Sequence, residues 1–151
     1  MRFKYLFLSL MLLILACSIT AIAAADDYES LGDYTFDIPD GFNVTEKTDE
    51  MVVMQTDENH SVTVYKLDGK RDFNLFKAFL QNLGCEFQEG VANQSGNFNV
   101  TEYNITSENV EGNMYLCDDG RSLLLVSTEF PPGEKITIEN NPAKQVVDSL
   151  E

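Results

Sequence analysis

The sequence predicts an α+β protein: an antiparallel β-sheet of about six or seven strands, one central amphipathic helix and one C-terminal helix. Three observations carry this. Residues 72–84 repeat their apolar side chains at helical spacing, the stretches on either side read as short β-rich runs parted by turn signals, and the chain ends in a capped helical pattern. At 151 residues there is room for one core.

The central helix comes first because everything else flanks it. At 100° per residue Phe73, Leu75, Phe76, Phe79, Leu80 and Leu83 fall within an arc of roughly 160°. Lys77, Gln81, Asn74 and Asn82 take the other side. Asp72 is placed to cap the first turn and Gly84 to end the helix in the left-handed conformation. So many rings on one face predict that this helix lies on a sheet.

The flanking elements follow in order. Asp26 to Gly32 reads as a polar lead-in, and Tyr34-Thr35-Phe36-Asp37-Ile38 alternates as a strand until Pro39-Asp40-Gly41 turns it. Phe42-Asn43-Val44 resumes an extended piece. Met51–Gln55 and Ser61–Leu67 are joined as a hairpin through Asp57-Glu58-Asn59-His60. Beyond the helix, Cys85–Gln88 with Gly90-Val91 and then Phe98–Thr106 read as strands. Gly112–Cys117 and Arg121–Ser127 flank Asp118-Asp119-Gly120, a hairpin signal. Leu123 to Val126 is apolar at every position, which predicts a central strand covered on both faces and favours helices on opposite sides of the sheet over both on one face. At the end Asn141 caps, Pro142 suits the first helical position, and Ala143, Val146, Val147 and Leu150 repeat as one face.

The N-terminus addresses the chain outward. A short basic start is followed by an apolar run from Tyr5 to Ala25, small residues at Ala21, Ala23 and Ala25, and then Asp26-Asp27. Residues 1–25 therefore read as a signal peptide, with 26–151 as the exported single α+β domain. Two other readings stay open: an uncleaved N-terminal anchor, since about 20 apolar residues span a bilayer, and lipidation of Cys17 in Ile14-Leu15-Ala16-Cys17. Contact with a membrane is expected only through this segment. The protein is accordingly expected to be secreted or held at the cell surface.

The net charge of −15, which becomes −17 once Arg2 and Lys4 are removed, argues against a nucleic-acid partner because phosphate is repelled. Cys85 and Cys117 remain in the exported chain. An even pair in an oxidising compartment is expected to form a disulfide, worth roughly 3–4 kcal/mol for a loop of this length; two buried thiols are the alternative. Five Asn-x-Ser/Thr sequons, at Asn43, Asn59, Asn93, Asn99 and Asn104, exceed the one or two that composition predicts and mark glycosylation candidates. Asn43, Asn59 and Asn93 are expected in loops. Asn99 and Asn104 differ by an odd number, so a straight strand points them to opposite faces.

No residue set announces catalysis, a cofactor or a metal. His60 is the only histidine and is expected as an exposed loop residue. Asp118-Asp119-Gly120 and Asp37-Ile38-Pro39-Asp40-Gly41 read as turn chemistry, because neither has the alternating oxygen ligands of a calcium loop. Among 25 acids no carboxylate pair stands out.

The opening Tyr34-Thr35-Phe36-Asp37-Ile38-Pro39-Asp40-Gly41-Phe42, with an "Ile-Pro-x-Gly-aromatic" corner, resembles the start of Mog1/PsbP-like domains. The closing helix that ends Val147-Asp148-Ser149-Leu150 is similar to that family too. Phe42 stands where tryptophan is frequent in the family, and the chain has no tryptophan. The resemblance implies an antiparallel sheet between helices and a non-catalytic accessory or binding role, with a protein or envelope partner it does not specify. The acidic, asparagine-rich exported chain also resembles archaeal surface proteins. Two other functions stay open: a secreted hydrolase using carboxylates or a cation, and a structural envelope component whose acidic face holds divalent cations.

Overall fold

A computed structural model describes residues 27–106, 111–131, 134 and 141–151. The expected signal or anchor segment and Cys17 lie outside these residues. The described chain is mainly antiparallel sheet with two helices, an α+β architecture. Strands β1 (Tyr28–Leu31) and β2 (Tyr34–Asp37) form a small hairpin. A larger sheet holds β3 (Asn43–Lys47), β4 (Met51–Gln55), β5 (Ser61–Leu67), β6 (Glu86–Ser95), β7 (Phe98–Thr106), β8 (Glu111–Asp118) and β9 (Leu123–Glu129), in the order β3-β4-β5-β9-β8-β7-β6. Helix α1 (Lys70–Asn82) connects β5 to β6, and α2 (Pro142–Asp148) closes the chain.

Strand β9 is fourth of the seven, flanked by β5 and β8. Its alternate residues feed two cores: Leu124 and Val126 pack under α2 and the β1–β2 hairpin, while Leu123 and Leu125 pack under α1. The continuous apolar run thus does what its pattern predicts, and the helices cover opposite faces. On the α2 face Leu31, Phe36, Val52, Met54, Val62, Val64, Ala143 and Val146 are all but sealed from solvent. The last residue adds to that seal, since Glu151 and Thr35 exchange two backbone hydrogen bonds of 3.0 and 3.1 Å.

Several local expectations need correction. The polar lead-in contains a strand, β1, whose sequence lacks alternation; pairing with β2 and burial of Leu31 make it one. The short piece expected after α1 is a longer, ten-residue strand, β6, that runs on to Ser95, because a bulge between Glu89 and Ala92 lets it pass Gly90 without ending its pairing with β7. Asp72 does not cap α1. Gly69, at φ 141°, turns the chain into the helix with no side-chain cap, and Asp72 falls inside the first turn, where its carboxylate still faces the positive helix end. At the other end Gly84 is left-handed at φ 88°. Its N–H bonds Gln81 O at 2.9 Å while Cys85 N bonds Leu80 O at 3.1 Å, a Schellman closure. Helix α2 begins as expected, with Asn141 Oδ1 accepting from Ala143 N at 3.1 Å ahead of Pro142.

The expected disulfide is not formed. Cys117 is a fully buried thiol in the α2-side core, whereas Cys85 packs against the α1-side core, so the sheet itself separates them. Burial in apolar surroundings pushes the Cys117 thiol up to about 12.

Candidate functional site

Helix α1 meets the sheet along a narrower stripe than its composition allows. Phe73 and Leu80 are buried, Phe76 and Leu83 are half-buried, yet Leu75 is 60% exposed and Phe79 43%. The buried stripe has turned by roughly 60° toward Lys77, at 100° per residue. The reason is on the sheet: the Lys77 ammonium sits 5.2 Å above the Tyr103 ring and 5.6 Å above that of Phe87, while its stem covers apolar surface. Phe73 also meets Tyr103, with ring centroids 5.3 Å apart and tilted by 45°. With Lys77 drawn inward, Leu75 and Phe79, one turn apart, are turned out to solvent as a ridge.

A groove lies on each side of this helix. The larger, about 430 Å³, runs between the start of α1 and the β7–β8 surface. Phe73, Tyr103 and Leu116 form its apolar part, Asn74, Asn99 and Thr101 its polar part, and Lys70 reaches Asp118 at 3.6 Å across one end. The Tyr103 hydroxyl is raised by burial and then by the charge of Glu89. The smaller, about 340 Å³, has Met51, Tyr65 and Leu67 beside Glu50, Asp68 and Asp72. Among the described residues no three His, Cys, Asp or Glu side chains are grouped closely enough to hold a metal ion.

The acidic turns are occupied by structural work. Asp119 Oδ1 accepts from Ser122 N at 2.7 Å and Arg121 N at 2.8 Å, and Tyr34 Oη donates to its Oδ2 at 3.0 Å. Those bonds from Ser122 and Arg121 hold its carboxyl down at about 2. Asp118 Oδ1 takes the Gly120 N–H at 2.8 Å. At the earlier corner Phe42 N bonds Pro39 O at 3.0 Å with Gly41 at φ 83°, as a type II turn requires.

His60 is not the exposed loop residue its position suggests. It is half-buried, stacked on Phe130 at 4.3 Å, with Nε2 2.6 Å from Glu134 Oε2. Glu129, on the α1 side of β9, has its carboxyl raised by burial, and the Tyr65 hydroxyl is raised by burial and then by Glu129 and Glu46. On the α2 face a polar group ties the helix cap to the sheet: Asn141 Nδ2 donates to Tyr115 Oη at 2.9 Å, and Tyr115 Oη and Asn113 Nδ2 both reach Glu102 Oε1 at 3.4 Å. Burial, then the Glu102 charge, raises the Tyr115 hydroxyl.

All five sequon asparagines are exposed. Asn59 lies in the β4–β5 turn at φ 63°, as expected of a loop. Asn43 opens β3 and Asn93 lies within β6, so these two are strand residues. Strand β7 is in unbroken register with β8, which puts Asn99 and Asn104 on opposite faces, and each is exposed.

The ridge of Leu75 and Phe79 is the feature that sequence reasoning placed inside the core. A clue was present: an apolar arc of roughly 160° is wider than the contact one helix makes with one sheet, so one flank had to face outward. Comparison with known protein families and with curated proteins returns no match to this chain.

Proposed function

We propose that the protein is an exported, non-catalytic binding module of the cell surface with a Mog1/PsbP-like arrangement. The observation that carries this reading is the ridge of Leu75 and Phe79, two large apolar side chains one turn apart on a helix whose opposite side is anchored to the sheet. Such a pair is suited to an apolar groove on a protein partner, in the manner of a helix seated by anchors at i and i+4. The rigid base keeps the entropic cost of ordering the contact small. The acidic surface favours solubility of the exported chain between encounters.

The test is capture from envelope extract by the tagged exported chain, run in parallel with a Leu75→Ser/Phe79→Ser variant whose fold is checked by circular dichroism. A partner retained by the wild-type chain and lost by the folded variant supports the reading; equal capture by both overturns it. Export is tested separately by the intact mass of chain recovered outside the cell, which should lack residues 1–25.

One observation favours the hydrolase alternative: a carboxyl raised by burial, at Glu129, is the kind that serves as a general acid. Neither groove beside α1 is lined by it, however. The cation-holding alternative would use Glu50, Asp68 and Asp72 along the smaller groove. It predicts a rise in melting temperature at millimolar calcium, and an unchanged melt excludes it.

A further inference from the structure

Strand β6 closes the sheet on one side, and among the described residues it pairs only with β7. An edge strand presents a row of backbone donors and acceptors that a second copy can continue. Its first half is guarded: Glu86 and Glu89 are exposed carboxylates, and the bulge before Ala92 interrupts the ladder. Beyond the bulge the guard is missing. Ala92-Asn93-Gln94-Ser95 runs in regular register against Thr101, Val100, Asn99 and Phe98 and carries no charge.

Two sequons fall on this unguarded half. Asn93 lies in β6 itself, opposite Val100, whose side chain belongs to the α2-side core; Asn93 is therefore on that face of the sheet. Asn99 lies on β7 opposite Gln94, one position along, and projects to the α1 face, where it lines the larger groove. Both are exposed. The uncharged segment thus has one acceptor on each face. Asn43 and Asn59 belong to β3 and the β4–β5 turn, at the far side of the sheet.

We propose that N-linked glycans at Asn93 and Asn99 flank the uncharged half of β6 on both faces and prevent two copies of the chain from joining edge to edge. In the modification Asn Nδ2 forms the bond to the anomeric carbon of a sugar as that carbon's bond to a lipid-linked phosphate donor breaks. The amide gives up one proton and the phosphate departs with the bonding pair. A second strand must approach to about 4.8 Å to pair, and hydrated sugars rising from both faces obstruct that approach where no side-chain charge does. The inference rests on export of the chain. Exported chain bare at both asparagines sinks the glycan proposal alone, whereas chain retained inside the cell sinks the export reading.

The first measurement is glycopeptide mass analysis of chain exported by its own host, with sugar expected on Asn93 and Asn99. The second is light scattering against concentration for wild type, for wild type deglycosylated enzymatically after folding, for Asn93→Gln/Asn99→Gln, and for Asn43→Gln/Asn59→Gln. The deglycosylated chain and the Asn93/Asn99 variant should show a several-fold larger associated fraction than wild type, and the Asn43/Asn59 variant should match wild type. Adding Gln94→Lys to the Asn93/Asn99 variant should restore the monomer, which folding damage would not allow. Absence of sugar at both positions overturns the proposal, and so does a deglycosylated chain as monodisperse as wild type.

Discussion

Beneath α2 and the β1–β2 hairpin, the sheet is covered by side chains almost wholly out of water, and the helix cap, the chain end and the Asp119 turn are all tied into it. Beneath α1 a single helix rests on a smaller cluster, with half-buried residues at its margin, a groove on each side and two large apolar residues pointing away. Both faces belong to the same strands, so local strand-forming tendency does not distinguish them. What distinguishes them, among the described residues, is how much covering material lies on each. The α2 face is the more thoroughly sealed of the two, and the α1 face leaves large apolar side chains exposed.

The largest test of this contrast compares the centre of β9 with its neighbour β8. Leu124→Ala, on the α2 face, should cost about 3–4 kcal/mol in urea unfolding, while the half-buried Leu116→Ala on the α1 face should cost about 1–2 kcal/mol. Equal losses would erase the distinction between the faces.

A smaller effect belongs to the turn that binds the β1–β2 hairpin. The Asp119 carboxyl is held at about 2, against 3.8 ordinarily, so its contribution is complete above pH 3.8 and disappears as pH falls through about 2. Asp119→Asn should be less stable than wild type at pH 7 and should lack that leg of the acid unfolding curve. Parallel acid titrations followed by circular dichroism would measure it, and superimposable curves would mean that the turn is not an anchor.

On the α1 face the sign reverses. Burial raises the Glu129 carboxyl above 4.5, so the folded state favours its protonated form and loses stability as pH rises through the raised value. Glu129→Gln should therefore melt higher than wild type at pH 7, and the gap should close below pH 4.5. A lower melting temperature at pH 7 would show that the ionised carboxylate has a stabilising role. The smallest effect is expected at the ridge: Leu75→Ser should change stability by no more than about 0.5 kcal/mol. A loss above 1.5 kcal/mol would put Leu75 in the core after all.

Much of this arrangement was legible in advance. Leu123 to Val126 announced the central strand because four successive apolar residues, set just after the Asp118-Asp119-Gly120 turn, suit a strand buried on both faces. Asp118-Asp119-Gly120 announced its hairpin, and Asn141-Pro142 the start of α2. The misreadings share one physical origin. Tyr28–Leu31 has no alternation, and it became a strand only when β2 offered a partner and the core accepted Leu31. Cysteine count and compartment favour a Cys85–Cys117 bond, but neither reveals that the sheet lies between them. The charge of Lys77 points to solvent, yet two rings on β6 and β7 lie within cation–π reach of its ammonium.

By itself, then, the sequence determined the α+β class, the central strand, most element boundaries and both helix ends where capping residues sit in the chain. Those follow from neighbouring residues, because backbone conformation, turn type and burial periodicity are local. Only the tertiary structure decided which flank of α1 faces outward, on which side of the sheet each thiol lies, and that two sequons bracket the uncharged half of an edge strand. Each of those depends on strands distant in sequence meeting in a particular register, and no local pattern encodes that meeting.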